Sequence, residues 1–250
     1  MLDSQYPTLK TAVTLTNEFF YLDFATFPDA TVQKLNEALN PFLQQLQALN
    51  LTLSFNKTVE SPSFAAHYND FSGTAPWGVN QTVNSRLIPR SLIEKNVNGF
   101  VDTLQSISNS SNGAAVFVFV AANVTHEHVG NAPGSNSVLP AWRDALFLLN
   151  YGVELAPDAT WDVVKDKQAL VNQWGDTFRE LTPGGGSYLN EATWNDAQWK
   201  VDYFGANYDR LAQIKAKYDP EYLLWVEAGV GNDVTWEAAQ DGSGRLCKRH

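Results

Sequence analysis

From Ser187 to Trp236 the sequence reads SYLNEATWNDAQWKVDYFGANYDRLAQIKAKYDPEYLLWVEAGVGNDVTW, and this stretch is the most informative part of the chain. It predicts a helix that opens at Gly205 and Asn207, because apolar and aromatic side chains then recur at steps of three and four residues as far as Tyr218. Asp219-Pro220 ends the predicted helix, since a residue before proline disfavours the helical conformation.

A second feature of this stretch is the spacing of Tyr188 and Asn190. Residues two apart on a strand point to the same face, so a strand here would hold a phenol and an amide side by side. Leu189 and Glu191 would point to the other face. From spacing alone, a polar pair at a strand edge is the favoured interpretation.

The same stretch resembles the C-terminal segment of the berberine bridge enzyme-like family, flavin-linked oxidoreductases of the vanillyl-alcohol oxidase superfamily. That segment has a Tyr-x-Asn-Glu strand, a Trp, a Gly-x-Asn-Tyr helix, a Tyr-Asp-Pro stop and a Val-Gly ending near a Trp. The matching pieces here are Tyr188-Leu189-Asn190-Glu191, Trp199, Gly205-Ala206-Asn207-Tyr208, Leu211, Lys215, Tyr218-Asp219-Pro220, Gly229-Val230-Gly231 and Trp236.

Two upstream motifs resemble the fungal branch of the family, so that the resemblance runs from about Tyr6 to Trp236. They are Ser85-Arg86-Leu87-Ile88-Pro89-Arg90 and Pro140-Ala141-Trp142-Arg143. The resemblance implies that Tyr188 and Asn190 contact FAD, and it leaves the catalytic base unassigned. The residues it implies in substrate binding are Arg86, Trp142, Arg143 and Tyr188.

The resemblance also implies which part of such an enzyme this chain represents. Neither a glycine-rich pyrophosphate loop nor a His tethered to flavin is visible ahead of the motifs, so the chain is expected to be the C-terminal half. We predict a substrate-binding domain at residues 1–182 and a C-terminal strand-helix segment at 183–250 that packs on a flavin-binding domain. The implied activity is oxidation of a sugar, phenol or secondary metabolite by hydride transfer to FAD, which oxygen then reoxidises. The alternative is a non-catalytic binding remnant that has lost the flavin domain.

Composition narrows the possible partners and location. Of 250 residues, 44% are hydrophobic and 18% charged, which is typical of a globular protein with a substantial core. A net charge of −10 disfavours nucleic acid and anionic membranes as partners. No export signal opens the chain, yet its five Asn-x-Ser/Thr sequons predict that the parent protein enters the secretory pathway and is glycosylated. These sequons begin at Asn50, Asn56, Asn80, Asn109 and Asn123.

Hydrophobic periodicity predicts an α+β fold, with an antiparallel sheet covered by helices on one face. The apolar run Ala114 to Ala122 is expected to be a central strand, and Phe117, Phe119, Val120 and Trp142 are expected in the sheet. The stretch from Val59 to Asn84 is expected to be mostly loop. The other predicted strands are Lys10 to Thr16, Phe19 to Phe27 and Leu51 to Asn56; the other predicted helices start near Thr31, Ser91 and Asp158. For Trp142 to Leu155 periodicity does not decide between strand and helix, and the family resemblance implies a strand.

Three remaining motifs have weaker functional interpretations. His126 and His128 would share one face of a strand, a spacing that can bind a metal, but no third ligand is nearby and no metal site is expected. His67 with Tyr68 could be an acid/base pair or a structural histidine. Pro183 to Ser187 lacks the Lys and the helix that phosphate-binding loops require, so we interpret it as a hinge.

Arg86 and Arg143 have a structural alternative to substrate binding. A buried pair with Asp144 or Glu154 would explain either arginine equally well. The single cysteine, Cys247, excludes an intrachain disulfide and a thiolate metal site.

Overall fold

The computed structural model describes residues 5–71, 80–239 and 243–249. Seven strands are present in this part of the chain: β1 (Lys10–Leu15), β2 (Phe20–Thr26), β3 (Gln81–Pro89), β4 (Val116–Ala121), β5 (Ala145–Glu154), β6 (Trp236–Ala238) and β7 (Leu246–Lys248). The α-helices of the same residues are α1 (Val32–Ala48), α2 (Phe64–Phe71), α3 (Arg90–Ser110), α4 (His126–Val129), α5 (Trp161–Leu181) and α6 (Tyr208–Tyr218). No helix among them is both long and apolar enough to cross a membrane.

The first five strands form one antiparallel sheet in the order β2-β1-β4-β5-β3. The predicted α+β fold is therefore confirmed, and β4 is the central strand as expected. The small β6-β7 pair stands apart as a second sheet.

The two long helices α3 and α5 pack on one face of this sheet. Their apolar side chains and those of the central strands form the main core, because alternate strand residues point to the same face. This core consists of Ile88, Leu92, Phe100, Ile107, Ala115, Phe117, Leu149, Tyr151, Val153, Val171, Trp174 and Phe178.

The opposite face, which we call the front face, carries the side chains of Ser85, Leu87, Val118, Leu148 and Asn150. Cross-strand pairing defines this set, because Asn150 lies opposite both Ser85 and Val118, and Leu148 opposite Leu87. A small apolar cluster covers one end of the front face; it contains Leu87, Leu139 and Leu148, with Val120, Ala141, Trp142, Ala145 and Tyr188 packed against them.

Several local predictions are wrong. Residues 51–60 form no strand, and the whole segment is exposed, since alternation of apolar residues does not by itself supply a partner strand. Trp142 lies outside the sheet, in a 3-10 turn (Pro140–Arg143) that precedes β5. In the stretch from Val59 to Asn84, predicted as mostly loop, the described residues contain α2 and the start of β3, and residues 72–79 lie outside the described part of the chain.

The C-terminal segment begins with short turns rather than with a strand. Leu189–Glu191 is a 3-10 turn, Lys200–Phe204 a π turn and Gly205–Asn207 a further 3-10 turn that leads into α6. The predicted helix and its stop at Asp219 are confirmed, but the predicted Tyr188 strand is wrong. The domain division between residues 182 and 183 stays a prediction.

Candidate substrate and cofactor site

A row of polar side chains crosses the front face. Its members are Thr14 on β1, Asn150 on β5 and Ser85 on β3, and the apolar Val118 on β4 lies between Thr14 and Asn150. Thr14 Oγ1 donates to the Asp23 carboxylate at 2.8 Å. The Asn150 Oδ1 atom is buried and accepts no hydrogen bond from the described residues, which makes it a candidate to receive one from a ligand. Sequence analysis missed Asn150, because one Asn inside an apolar strand has no motif around it.

Tyr188 is held beside this row by Ser85. The Tyr188 N–H donates to Ser85 Oγ at 3.1 Å, and the Ser85 hydroxyl lies 3.4 Å from the Tyr188 carbonyl oxygen, which it can donate to. The Tyr188 ring packs edge-to-face on Trp142, with 5.6 Å between the ring centroids. Tyr188 therefore joins the end of the polar row to the apolar cluster that contains Trp142.

The structure brings Tyr188 and Asn190 together, although not on a strand. Asn190 Nδ2 donates to the Tyr188 hydroxyl oxygen at 2.9 Å across the 3-10 turn. With its oxygen accepting from Asn190, the hydroxyl can donate its own proton to another acceptor. Asn190 is exposed and Tyr188 half-buried, so a ligand on the front face can reach both side chains.

Arg143 lies in the same 3-10 turn as Trp142. Its Nη1 atom donates to the Val124 carbonyl oxygen at 2.8 Å, and the side chain is half-buried. This bond ties the turn before β5 to the end of β4. Substrate contacts by Trp142 and Arg143 stay predictions.

Arg86 points away from the front face, into the protein. Its Nη1 atom donates to Asp202 Oδ1 at 2.9 Å, and the two side chains are only 3% and 4% exposed. Arg86 therefore forms a buried ion pair, which was the structural alternative to substrate binding. Its partner is Asp202 and not the predicted Asp144 or Glu154. Substrate binding by Arg86 stays a prediction that no contact here supports.

Asp202 is the centre of a larger charged cluster. Its second oxygen accepts from Arg179 Nε at 2.9 Å and Nη2 at 2.6 Å, and Arg179 Nη2 also donates to Asp196. Although burial acts to lower the pKa of Arg179, the carboxylates of Asp202 and Asp196 raise it above its ordinary value. Burial raises the pKa of Asp196, an effect that Asp202 reinforces.

The glycine-bearing loop before Tyr188 packs against the sheet edge. The Gly186 carbonyl oxygen accepts from Leu87 N–H at 2.8 Å, and Gly186 and Ser187 are buried. A Cβ on Gly186 would lie 2.4 Å from Leu139 Cδ2 and 2.7 Å from the Asp202 carbonyl oxygen, so the close approach requires glycine. The loop thus attaches the C-terminal segment to β3, where we had predicted a hinge.

Among the described residues, His67 and His126 make hydrogen-bonding contacts within the fold. His126 and His128 lie on the short helix α4, where residues two apart diverge, and His126 Nδ1 is 3.1 Å from the Asn131 carbonyl oxygen. His67 contacts Thr26 Oγ1 at 3.2 Å and packs on Phe71. No group of three candidate metal ligands occurs among the residues that the structure describes.

Comparison with solved structures identifies the fold. The VAO-type flavoprotein MtVAO615 of Myceliophthora thermophila matches with a TM-score of 0.81 at 28% identity, over 99% of this chain and 45% of that protein's chain. MtVAO713 of the same organism matches with a TM-score of 0.76 over 99% of this chain and 45% of its own, at 21% identity, which supports the fold alone. The sheet and its helices are thus those of a VAO-type substrate domain.

Sequence comparison identifies the family. The family model described as "Berberine and berberine like" matches residues 187–231. The FAD-linked oxidoreductase patO of Penicillium expansum is 33% identical over 239 residues, covering 94% of this chain and 40% of that protein. The VAO-type flavoprotein oxidase VAO615 of Thermothelomyces thermophilus is also 33% identical over 239 residues, covering 90% of this chain and 39% of that protein. This chain is therefore similar to one part of the berberine bridge enzyme-like FAD-linked oxidoreductases, and it spans about 40% of the length of the relatives it matches.

Proposed function

We propose that this chain is the substrate-binding part of an FAD-dependent oxidoreductase that oxidises a small organic molecule. The observation that carries the proposal is the arrangement on the front face, where the Tyr188 hydroxyl, the Asn190 amide and an Asn150 Oδ1 with no partner among the described residues adjoin an apolar cluster. A planar ring system with a polar edge requires such a combination of apolar contact and a few directed hydrogen-bonding groups.

The residues present fit the edge of FAD's flavin ring. Asn190 and Tyr188 supply donors and acceptors, while Trp142 and Val120 supply apolar contact. When bound, FAD would accept a hydride from the substrate and be reoxidised, in our proposal by oxygen. Flavin adenine dinucleotide also has a pyrophosphate, which requires a row of backbone N–H groups that we expect on a flavin-binding domain supplied by the longer parent protein.

The chain's own residues would bind and orient the substrate. Tyr188 can donate a hydrogen bond toward the front face while Asn190 fixes the direction of its hydroxyl. Asn150 Oδ1 would accept a hydrogen bond from a substrate hydroxyl or amine. It cannot serve as the catalytic base, because an amide does not ionise near neutral pH. A sugar, a phenol and a secondary metabolite would each satisfy these groups.

The flavin-binding domain would cover apolar surface on the C-terminal segment. This surface does not consist of the aromatic rings of Trp199, Phe204 and Tyr208, because these rings pack on one another. Leu223, Leu224 and Val226 are instead exposed, Leu224 to 80%. Exposed apolar groups of this kind are typical of an interface with another part of a protein.

The test is to express the chain joined to the flavin-binding region of a relative and to compare site variants. Tyr188→Phe and Asn190→Ala should lower turnover or shift the flavin absorbance more than they lower the melting temperature. Tyr218→Phe is the matched control, because Tyr218 is exposed at the end of α6. If both site variants keep wild-type absorbance and turnover, Tyr188 and Asn190 do not belong to the site.

The chain by itself should bind FAD poorly. One or two hydrogen bonds to the ring edge, at about 0.5–1.5 kcal/mol each, are insufficient for binding near roughly 1 µM. Titration followed by flavin fluorescence measures this. A stoichiometric yellow complex with a dissociation constant of about 1 µM or less would contradict the assignment of the pyrophosphate site to another domain.

We also propose that the parent protein enters the secretory pathway. Four of its sequon asparagines, Asn50, Asn56, Asn80 and Asn109, are exposed, whereas Asn123 is half-buried and its Oδ1 accepts from Thr125. Expression through the secretory pathway of a yeast, followed by glycosidase treatment, should increase electrophoretic mobility. The quadruple Asn→Gln variant of the exposed sites should lose most of that shift; no shift in the wild-type chain would contradict glycosylation.

A further inference from the structure

We propose that the buried pair of Arg86 and Asp202 is a positioning device that sets the place of Tyr188 on the front face. Neither side chain of the pair reaches that face. Both act through the backbone of residues 182–188, the segment that connects α5 to Tyr188. The proposal rests on the proposed function only in so far as Tyr188 contacts substrate or cofactor there.

Arg86 holds the start of this segment. Its Nε atom donates to Thr182 Oγ1 at 2.8 Å and its Nη2 atom to the Thr182 carbonyl oxygen at 3.0 Å. Thr182 Oγ1 in turn donates to the Phe178 carbonyl oxygen at 2.7 Å, so the end of α5 and the segment share one anchor. One guanidinium thus fixes where the chain leaves the helix.

Asp202 holds the end of the segment. Its carbonyl oxygen accepts from Ser187 N–H at 2.8 Å, one residue before Tyr188, while its carboxylate accepts from Arg86 and Arg179. Gly186 and Tyr188 bind β3 directly through Leu87 and Ser85. Three consecutive residues, 186 to 188, are therefore each hydrogen-bonded to β3 or to Asp202.

The neighbours in β3 connect the two sides of the sheet. Ser85, which binds the Tyr188 backbone, and Leu87, which binds Gly186, flank Arg86 in the sequence. Alternate strand residues point to opposite faces, so Arg86 contacts the segment 182–188 from the face opposite the front face. Its neighbours Ser85 and Leu87 bind the same segment along the edge of the sheet. A shift of Asp202 would move Ser187 and hence Tyr188.

The use of charge favours positioning over stabilisation. Burying an ion pair has a desolvation penalty that often equals its Coulombic gain, so well-packed apolar residues would stabilise this junction as well. Directional bonds from one guanidinium to Thr182 and Asp202 specify instead a single path for the loop. The neighbouring carboxylate of Asp176 also binds Arg179 but is 70% exposed, and it provides a control because its described side-chain hydrogen bond goes to Arg179 and not to residues 182–188.

The test is ¹⁹F NMR of the 250-residue chain labelled with 3-fluorotyrosine. The Tyr188 signal is assigned by its loss in Tyr188→Phe, and its chemical shift reports the packing against Trp142. Asp202→Asn and Arg86→Lys should each move or broaden this signal by more than its linewidth. Asp176→Asn should leave it unchanged, although it removes a partner of Arg179.

Folding is checked separately by far-UV circular dichroism. If Asp202→Asn does not fold, Arg86→Lys and Thr182→Val decide the question, because the first keeps the charge and the second removes only the Thr182 hydroxyl. A Tyr188 signal that stays at its wild-type position in the folded variants would overturn the proposal. So would a shift of equal size in Asp176→Asn.

A double-mutant cycle separates this inference from the proposed function. In the chain joined to a flavin-binding region, Asp202→Asn should lower kcat, and adding it to Tyr188→Phe should lower kcat no further, because the path runs through Tyr188. Losses that multiply would contradict action through Tyr188. If the joined protein has no activity, the proposed function fails while the NMR result still decides positioning.

Discussion

Replacement of Phe117 by Ala tests the placement of β4 at the centre of the sheet. Phe117 is 2% exposed and lies opposite Leu15 on β1 and Tyr151 on β5. Full burial of a phenylalanine contributes about 1.5–3 kcal/mol, and the cavity left by truncation raises the total cost to about 3–5 kcal/mol. That cost is a large fraction of the stability of a typical domain, about 5–15 kcal/mol.

Replacement of Phe119 by Ala should lower the free energy of unfolding by less, although Phe119 lies on the same strand and the same face as Phe117. It is only partly buried and makes an edge-to-face contact with Phe147 at 5.5 Å between centroids. Its replacement by Ala should remove about 0.5–1.5 kcal/mol of ring contact and part of the transfer energy, about 1–3 kcal/mol together. Phe117 rather than Phe119 is therefore the diagnostic residue of β4.

The measurement is guanidinium unfolding followed by tryptophan fluorescence, with the slope compared between variants. Phe19→Ala is the control, since Phe19 is 53% exposed and its loss should change the free energy of unfolding by no more than about 0.5 kcal/mol. A Phe117→Ala midpoint no lower than that of Phe19→Ala would refute the central position of β4. If the two replacements lowered the free energy of unfolding equally, the argument that Phe117 is more deeply buried than Phe119 would be refuted.

Two further predictions concern stability. Gly175→Ala on α5 should lower the melting temperature, because the new Cβ would lie 2.9 Å from Asn84 Nδ2 and 3.1 Å from the Tyr151 hydroxyl. This steric conflict should outweigh the usual gain of about 1 kcal/mol for Gly→Ala in a helix. A higher melting temperature would contradict this packing of α5 on the sheet. Asp219 accepts from Lys215 Nζ at 2.5 Å, and this hydrogen bond lowers the pKa of the Asp219 carboxyl from 3.8. The contribution of this bond to stability is therefore present above pH 3.8 and is lost as the pH falls through the lower pKa that Asp219 has in the folded state. Asp219→Asn should flatten the acid side of a profile of stability against pH. An unchanged profile would contradict a stabilising pair of Lys215 and Asp219.

The long elements could be predicted because they bury one face over many residues. The helical repeats of α3 and α5 and the apolar run of β4 each specify an element and its buried side. Leu51, Leu53 and Phe55 show the limit of this signal, since they alternate as a strand does but no partner strand pairs with them. Strand pairing depends on a distant part of the chain that a local pattern does not contain.

The sequence by itself determined the α+β class, the central strand, the family resemblance and the pairing of Tyr188 with Asn190. Only the tertiary structure decided that these two side chains meet across a 3-10 turn, and that Asn150, the cross-strand neighbour of Ser85, has an Oδ1 without a hydrogen-bond partner among the described residues. It also decided that Arg86 pairs with Asp202, 116 residues away along the chain, rather than with a nearby carboxylate. The physical reason is that a buried charge binds the partner that the packing of distant elements brings within hydrogen-bond distance, and sequence separation does not determine which partner that is.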